Sequence, residues 1–251
     1  MANSLHCAHF WAGLYMHDRV IGVLGGLGPE ATVDFCSRII GNTNAPTEQD
    51  HIRCIVDNNP KAPNRNHAIA GNGPSPAPAF EDSARMLERC GVDFIVMPCN
   101  TAHAFVDAIL QSISIPFISM IDETCNHLLE NHQNIEHIGL LAADGCLRAN
   151  LYQTKLEESG FTVVLLSSTQ QEAFMRTVYN IKQFGASKES RKDMEDNAHT
   201  LISAGAEIIL AGCTEIPLVL KPESISVPLV ETTEILAKQS VRYAKRELDL
   251  P

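Results

Sequence analysis

The sequence predicts an α/β fold made of two three-layer halves, related by a pseudo-twofold axis, with mainly parallel sheets and the functional site in the cleft between them. Three observations predict it. Short apolar strands alternate with helices along the chain, an order typical of a parallel sheet covered on both faces. The second half of the chain repeats the order of the first. In each half a buried strand ends at a cysteine followed closely by a threonine.

In the first half, strands are predicted at 19–24, 52–56 and 94–97, and helices at 30–40, 77–90 and 101–110. The first strand ends in a glycine-rich turn, and Pro29 opens the helix after it because proline is tolerated at the first helical position. Gly91 closes the second helix as a C-terminal cap. The apolar run at 94–97 is typical of a buried strand and leads into Cys99.

The second half has matching elements. The strand at 138–141 matches 21–24, the strand at 207–210 before Cys213 matches 94–97 before Cys99, and 227–229 matches 115–117. The last helix is predicted at 233–248. Breaks near Pro116 and Pro228 divide the chain into a first domain of 19–116 plus 229–251 and a second domain of 117–228. Residues 1–18 are predicted to be an extension whose role the sequence leaves open.

Composition narrows the class of protein. The chain has 251 residues, 45% hydrophobic and 20% charged, which is ordinary for a soluble protein. No apolar run reaches the length needed to span a membrane. A net charge of −11 argues against binding to nucleic acid or to membrane surfaces, but leaves room for a small anionic ligand. The eight cysteines form no C-x-x-C pair and the start does not fit a signal peptide, so we expect reduced thiols, no metal and a cytoplasmic location.

Cys99 and Cys213 are the candidate reactive groups. Ligands of parallel sheets bind at the carboxyl ends of strands, where both cysteines stand. Amide groups at the start of the following helix favour negative charge, so the pKa of a thiol there is expected to be lowered. The same amides, with the side chains of Asn100, Thr101 and Thr214, are candidates to hold a carboxylate. The pseudo-twofold axis is expected to place both sulfurs across one crevice.

Two facing thiols suit the inversion of a stereocentre without a cofactor, because one removes a proton while the other returns one on the opposite face. Donors aimed at the substrate carboxylate would stabilise the charge that develops. Two other readings stay open for this pair, namely buried structural cysteines and a disulfide. A non-catalytic two-lobed sensor of small molecules is the alternative of another class. Four other cysteines are expected to be small buried hydrophobes: Cys36, Cys54, Cys90 and Cys125.

Four segments carry a resemblance to a known family: GVLGGLGPEAT at 22–32, DNNP at 57–60, MPCNTAH at 97–103 and GCTEIPL at 212–218. They closely resemble the aspartate racemase branch of the aspartate/glutamate racemase superfamily, from about Val20 to the final helix. The resemblance implies a duplicated α/β fold, no pyridoxal phosphate or other cofactor, a homodimer, and a small acidic amino acid as substrate. Aspartate is the first expectation, and glutamate or broader specificity stays open, as do the physiological direction and the dimer geometry.

The resemblance also implies roles for single residues. It makes Cys99 and Cys213 the catalytic pair and places Asn100, Thr101 and Thr214 around the α-carboxylate. Arg65 and Lys182 would bind the distal carboxylate. The auxiliary residues are Gly26, Glu215 and His103. Glu215 and His103 are candidates to tune the thiols through hydrogen bonds. For His103 the alternative is an exposed position on the helix surface with no role in the site. Three positions depart from the family pattern, with effects left open: Asn64 for aspartate, Cys146 for threonine and Glu231 for aspartate.

Overall fold

The computed structural model describes residues 18–251. The predicted extension at 1–18 therefore lies, apart from Asp18, outside the described residues. The first half contains β1 (Ile21–Gly25), α1 (Pro29–Asn42), β2 (Cys54–Asn58), α2 (Arg65–Ile69), α3 (Ala77–Arg89), β3 (Phe94–Val96), α4 (Val106–Leu110) and β4 (Phe117–Ile118). The second contains α5 (Met120–Asn131), β5 (His137–Ala142), α6 (Asp144–Arg148), α7 (Gln153–Glu158), β6 (Thr162–Val164), α8 (Ser168–Phe184), α9 (Lys188–Ser203), β7 (Ile208–Gly212), α10 (Ile216–Val219), β8 (Leu229–Glu231) and α11 (Thr232–Ala244).

The strands form two parallel sheets with the same topology. The first sheet has the order β2-β1-β3-β4, and the second has the order β6-β5-β7-β8. Apolar side chains cover both faces of each sheet, for example Val23 and Phe35 on one face of the first sheet and Leu24 and Phe80 on the other. The predicted fold class, with two duplicated α/β halves, is confirmed. No helix within residues 18–251 is long and apolar enough to cross a membrane.

Strand pairing corrects the ends of the predicted halves. Phe117 in β4 pairs with Ile95 in β3, and Leu229 in β8 pairs with Ile209 in β7. β4 therefore belongs to the first sheet, although it was predicted within 117–228, and β8 belongs to the second, although it was predicted within 229–251. The carbonyls of Pro116 and Pro228 accept hydrogen bonds from the amides of Ile95 and Ile209, both at 2.9 Å. The prolines thus lead into paired strands, and the chain crosses between sheets after β4 and after β8.

The helices near the candidate site are shorter than expected. The segment predicted as one helix at 101–110 is a 3-10 turn, Thr101–Phe105, followed by the short α4. The last helix was predicted to run to 248, but α11 ends at Ala244. The five-residue α2, which begins at Arg65, was not predicted, because little more than one turn carries too little periodicity to detect.

Candidate functional site

A small cavity lies between the halves, where the central strands β1, β3, β5 and β7 end. Its volume is about 50 Å³. It is lined by Leu27, Asn64, Arg65, Asn66, Cys99, Asn100, Thr101, Ala143, Val178, Tyr179, Lys182, Cys213, Thr214 and Glu215. The structure thus brings together both cysteines and the five predicted substrate-binding residues, with Glu215 beside them. Two predicted auxiliary residues, Gly26 and His103, do not line this cavity.

The two cysteines occupy equivalent positions, after β3 and after β7, and each side chain is only 7% exposed. Both thiols are free. The Sγ of Cys99 donates to the backbone carbonyl of Leu27 at 3.7 Å. The Sγ of Cys213 donates to Oε2 of Glu215 at 3.0 Å. The duplicated fold therefore supplies one thiol from each half, but the two thiols have different acceptors.

The electrostatics of Cys213 differ from the expectation. Burial raises the pKa of this thiol well above its ordinary value, and the Glu215 carboxylate raises it further, while Lys182 lowers it. The predicted lowering of this pKa by helix amides is wrong. The following helix, α10, has only four residues, and Glu215 itself occupies its N-cap position. A neighbouring carboxylate and loss of solvent therefore outweigh the amide dipoles, and Cys213 is a protonated thiol in this arrangement.

Lys182 brings positive charge to the two thiols. It extends from α8 and forms an ion pair with Oε1 of Glu215. Burial alone would lower the pKa of Lys182, but its electrostatic interactions, first with the Glu215 carboxylate and then with the two cysteine sulfurs, raise that pKa above its ordinary value. The side chain is thus held as an ammonium group, and its charge favours a thiolate at either cysteine.

Arg65 supplies a second cation, held by backbone carbonyls. Its Nη2 donates to the carbonyl of Leu27 at 2.7 Å, and its Nη1 donates to that of Pro63 at 3.2 Å. Arg65 is the first residue of α2, whose N-cap is Asn64, and the side chain of Asn64 accepts a hydrogen bond from the amide of His67. Asparagine and aspartate both make this cap, so the departure at Asn64 preserves the local helix start.

Gly26 shapes the turn that presents the Leu27 carbonyl to both Cys99 and Arg65. Its φ angle is +88°, and a Cβ at this position would lie 2.3 Å from the backbone carbon of Asn59. Only glycine adopts this conformation without strain. The amide of Gly26 also donates to Oγ1 of Thr32 at 2.9 Å. Gly26 therefore affects the cavity indirectly, by fixing the backbone position of Leu27, which lines it.

Asn100 is anchored by residues that the sequence analysis did not identify. Its Oδ1 accepts a hydrogen bond from the buried Tyr152 hydroxyl at 2.5 Å. Its Nδ2 donates to Oγ1 of Thr232 at 3.2 Å, and that hydroxyl donates to the carbonyl of Ala211 at 3.0 Å. The Asn100 side chain therefore ties the first half to the second. Neither Tyr152 nor Thr232 stands in a recognisable motif, so no local signal marks them.

A second link crosses the mouth of the cavity. Oδ1 of Asn66 accepts a hydrogen bond from the amide of Gly145 at 2.8 Å, and its Nδ2 donates to the Tyr179 hydroxyl at 3.3 Å. A Cβ at Gly145 would lie 2.7 Å from both Asn66 and Thr101. These contacts depend on residues far apart in the chain, which explains why the sequence did not reveal them.

His103 is neither on a helix surface nor bonded to a thiol, so both predicted readings are wrong. It is buried, its Nδ1 lies 2.9 Å from the carbonyl of Cys99, and its Nε2 accepts from the amide of Met120 at 3.1 Å. Because that amide is a donor, Nε2 must be the acceptor and Nδ1 must carry the proton. Burial lowers the pKa of His103 to about 4. A neutral imidazole therefore fixes the backbone of Cys99.

The other two residues that depart from the family pattern, Cys146 and Glu231, do not line the cavity. Cys146 is fully buried in the core of the second half, where burial raises the pKa of its thiol. Glu231 forms an ion pair with Arg38 at 2.7 Å, which joins α1 to the start of α11. Within the described part of the chain, no group of three or more His, Cys, Asp and Glu side chains is placed to hold a metal ion.

Fold and site together define a class: a duplicated α/β protein in which each half contributes one buried cysteine to a shared cavity. The chain belongs to the Asp/Glu/hydantoin racemase family, whose sequence profile matches residues 24–240. It is 28% identical to the broad specificity amino-acid racemase RacX of Bacillus subtilis, over 88% of this chain and 96% of that protein. Its structure is similar to that of Picrophilus torridus aspartate racemase, with a TM-score of 0.82 and 28% identity over 90% of this chain and 94% of that one. A glutamate racemase from Bacillus anthracis shares the fold, with a TM-score of 0.66 at 18% identity over 93% of this chain and 84% of that one.

Proposed function

We propose that this protein is a cofactor-independent racemase of a small acidic amino acid, with aspartate as the preferred substrate. The observation that carries the proposal is that Cys99 and Cys213, one from each half, line the same buried cavity. The aspartate racemase from Picrophilus torridus, to which this structure is similar, supports the choice of substrate. RacX, a relative named for broad specificity, makes a wider range of amino acids the second candidate.

The proposed mechanism uses both thiols. Starting from the Cys99 thiolate and the Cys213 thiol, Cys99 removes the α-proton on one face and Cys213 delivers its proton on the other. The product is the opposite enantiomer, and the protein is left with a Cys99 thiol and a Cys213 thiolate, ready for the reverse reaction. Backbone amides near Asn100, Thr101 and Thr214 would hold the α-carboxylate and stabilise the charge that develops on it. Glu215 would accept the proton of Cys213 when that thiol must ionise.

Two cations support an acidic side chain in the substrate. Arg65 and Lys182 are the cationic side chains that line the cavity in the described chain. A guanidinium binds a carboxylate through two parallel hydrogen bonds, and an ammonium adds a point charge. In the structure these cations are bonded to the Leu27 carbonyl and to Glu215, so the distal carboxylate would have to replace some of those contacts.

The size of the cavity supports a compact substrate and an opening step. One water molecule needs about 10–15 Å³ of cavity volume, so the observed 50 Å³ holds only a few. A cavity of this size suits a compact amino acid, and the hydrogen bond between Asn66 and Tyr179 at the cavity mouth is the contact we expect to break when the substrate enters. The small volume favours aspartate over the longer glutamate.

The decisive experiment incubates each enantiomer of aspartate with the protein in deuterium oxide. Racemisation with α-deuterium incorporation is expected for the wild type. Cys99→Ser and Cys213→Ser should each abolish racemisation, while the remaining thiol still exchanges the α-hydrogen of one enantiomer, a different one in each variant. Binding without exchange would favour the sensor, and a single variant that racemises normally would refute the two-thiol mechanism. Parallel assays with glutamate and alanine compare the substrate candidates.

The role of Arg65 is tested by comparing how its removal affects acidic and uncharged substrates. Arg65→Ala should reduce kcat/KM for aspartate by about 100-fold or more, since a charged hydrogen bond is lost, and affect any residual alanine activity much less. Lys61→Ala is the control, because Lys61 is exposed on the loop before α2. Equal losses for aspartate and alanine would contradict the assignment to the distal carboxylate.

Glu215 is tested through the ionisation of Cys213. Because its carboxylate raises the pKa of that thiol, Glu215→Gln should let iodoacetamide alkylate Cys213 at lower pH than in the wild type. Racemisation should fall about 100-fold, a typical loss for removing a proton acceptor. Mass spectrometry of the Cys213 peptide across a pH series measures the first effect, with the exposed Glu223→Gln as control. An unchanged alkylation profile would exclude Glu215 from this role.

A further inference from the structure

A second and larger cavity, which we call the outer chamber, lies beside the cavity that the two cysteines line. Its volume is about 190 Å³, against about 50 Å³ for the cysteine cavity. Four residues line both spaces: Leu27, Arg65, Lys182 and Glu215. These four residues therefore form a wall between the outer chamber and the cysteine cavity.

The outer chamber opens to solvent. Pro29, Glu30 and Pro60 line it and are exposed. One water molecule needs about 10–15 Å³ of cavity volume, so the chamber has room for a chain of several. Polar partners for such a chain are the carboxylate of Glu30 and the amides in the first turn of α1, which have no partner within the helix. Water can therefore reach the wall without passing through the cysteine cavity.

Glu215 is the residue of the wall that contacts a thiol on one side and faces the outer chamber on the other. Its side chain is only 4% exposed, and its Oε1 forms the ion pair with Lys182. Its Oε2 accepts the hydrogen bond from Sγ of Cys213 at 3.0 Å. Gly28 lines the outer chamber and not the cysteine cavity, and a Cβ on Gly28 would contact Oε1. One oxygen of this carboxylate is therefore on the thiol, and the other is on the chamber side.

Gly28 keeps the approach to this ion pair open. Its backbone angles, φ −112° and ψ 142°, are those of extended backbone that any residue adopts. It occupies the N-cap position of α1, where serine, asparagine and aspartate rank above glycine. A side chain would change the space beside the ion pair, because its Cβ would lie 3.0 Å from Oε1 of Glu215 and 3.5 Å from Nζ of Lys182. The glycine therefore leaves both groups accessible from the outer chamber.

The proposed mechanism creates a need for proton exchange at Cys213. A turnover that Cys99 begins leaves Cys99 as a thiol and Cys213 as a thiolate, the wrong arrangement for a second molecule of the same enantiomer. Cys213 must then regain a proton, and Cys99 must lose one. Sγ of Cys99 donates to the backbone carbonyl of Leu27, which is not a base, whereas Sγ of Cys213 donates to a carboxylate. The two thiols therefore differ in their means of proton exchange.

We propose that the outer chamber is the route by which Cys213 exchanges its proton with solvent, and that Glu215 is the relay. This inference rests on the proposed function. To restore the Cys213 thiol, the Glu215 carboxylate takes a proton from water in the chamber, the carboxyl group turns about its Cγ–Cδ bond, and its O–H gives the proton to the thiolate. A thiol and a carboxylate result. Cys99 releases one proton to water when the product leaves, so the net charge is unchanged, and the reverse sequence ionises Cys213.

The relay reaches Cys213 from the side opposite the substrate, so it works while the substrate occupies the cysteine cavity. A hydrogen that Cys213 removes from the α-carbon can then be replaced by one from solvent before it is returned. A hydrogen that Cys99 removes has no such relay and is mostly returned unchanged. In deuterium oxide, the enantiomer that Cys213 deprotonates should therefore take up α-deuterium faster than it racemises. The other enantiomer, recovered as unreacted substrate, should take up deuterium more slowly than it racemises.

Mass spectrometry of L- and D-aspartate, separated and recovered at early times from deuterium oxide, tests this difference. The Cys99→Ser variant, in which Cys213 is the remaining thiol of the pair, identifies the enantiomer on which Cys213 acts. Excess exchange of that enantiomer alone is expected, and Glu215→Gln should remove the excess. Racemisation with equal exchange of both enantiomers overturns the relay and leaves the proposed function standing. If neither racemisation nor exchange occurs, the proposed function fails and the relay fails with it.

The route itself is tested by filling the outer chamber in the single-thiol variants. Leu218 and Pro60 both line the chamber. Leu218→Trp or Pro60→Trp should slow the α-hydrogen exchange of the Cys99→Ser variant by about tenfold or more, because a positioned proton-transfer group is cut off from solvent. In the Cys213→Ser variant, whose remaining thiol is Cys99, the same tryptophans should leave the exchange rate unchanged. Leu110→Trp, at an exposed residue of α4, is the control. Equal slowing in both variants, or slowing in neither, overturns the route.

Discussion

Acidification from pH 7 to pH 5 is expected to destabilise the protein by about 2 kcal/mol through His103 alone. Burial lowers the pKa of this side chain to about 4, whereas an unfolded chain has a histidine pKa of about 6.5. Between these values the unfolded state binds a proton that the folded state excludes. The stabilisation is therefore complete above about pH 6.5 and is lost as the pH falls towards 4, to a total of about 3 kcal/mol.

The structural cause is specific. Nε2 of His103 accepts a hydrogen bond from Met120, and Nδ1 bonds to the carbonyl of Cys99. Protonation would place two donors, the imidazolium Nε2–H and the amide of Met120, against each other in a buried site. The ring would have to move, and the carbonyl that it holds belongs to a candidate catalytic cysteine. Loss of activity at low pH is therefore expected to accompany the loss of stability.

Urea denaturation at pH 7 and pH 5 measures the effect, with His103→Asn as the variant and His51→Asn, at an exposed histidine, as the control. Asparagine keeps a donor for the Cys99 carbonyl but does not titrate. His103→Asn should be less stable at pH 7, and its free energy of unfolding should fall by about 2 kcal/mol less than that of the wild type between the two pH values. Identical pH dependence in the wild type and His103→Asn would refute the argument.

Two further changes test the backbone and the polar network around the site. Gly26→Ala should destabilise the fold by about 2 kcal/mol or more in urea denaturation, since it adds a Cβ at positive φ against the backbone of Asn59. Gly41→Ala, the control, has open space around its Cβ and should instead stabilise α1 by up to about 1 kcal/mol. Equal effects of the two substitutions would contradict the strained turn assigned to Gly26. Tyr152→Phe should lower the free energy of unfolding by about 1–3 kcal/mol, because it leaves the buried amide oxygen of Asn100 unpaired. Tyr179→Phe, at a partly exposed side chain, should change it by less than about 0.5 kcal/mol. A larger loss for Tyr179→Phe than for Tyr152→Phe would contradict the anchoring role of Tyr152.

The parts of the fold that follow from local pattern were predictable. Apolar strands such as 94–97, which lies between Asp93 and Pro98, are short, continuous and clearly bounded, so their existence and order could be predicted directly. Once both halves are parallel sheets, topology alone places Cys99 and Cys213 at corresponding strand ends. The boundaries predicted near Pro116 and Pro228 fall too early, because the carbonyls of both prolines accept hydrogen bonds from sheet strands and the strands that follow, β4 and β8, still pair within the same sheets.

The chemistry of the site was less predictable, since it depends on contacts between distant residues. The sequence places Cys213 near a helix start but does not show that Glu215 turns back to accept its proton. It likewise does not show that Tyr152, 52 residues from Asn100, fills one acceptor of that amide. His103 was predicted as a candidate to tune the thiols, yet its hydrogen bond is to the backbone carbonyl of Cys99 and not to the sulfur. Spacing identifies neighbours along the chain, whereas burial and charge set pKa values.

Duplication gives the two thiols equivalent places but unequal surroundings, and this inequality bears on the proposed mechanism. Cys213 donates to a carboxylate that raises its pKa, while Cys99 donates to the uncharged carbonyl of Leu27. The Glu215 carboxylate therefore favours the protonated form of Cys213. Under the proposed mechanism, the enantiomer deprotonated by Cys99 meets a protonated Cys213 that is ready to donate. The other enantiomer requires Cys213 to lose its proton before it can act as the base. Lys182, which interacts with both sulfurs and with Glu215, reduces the cost of that transfer because its charge favours a thiolate at either position.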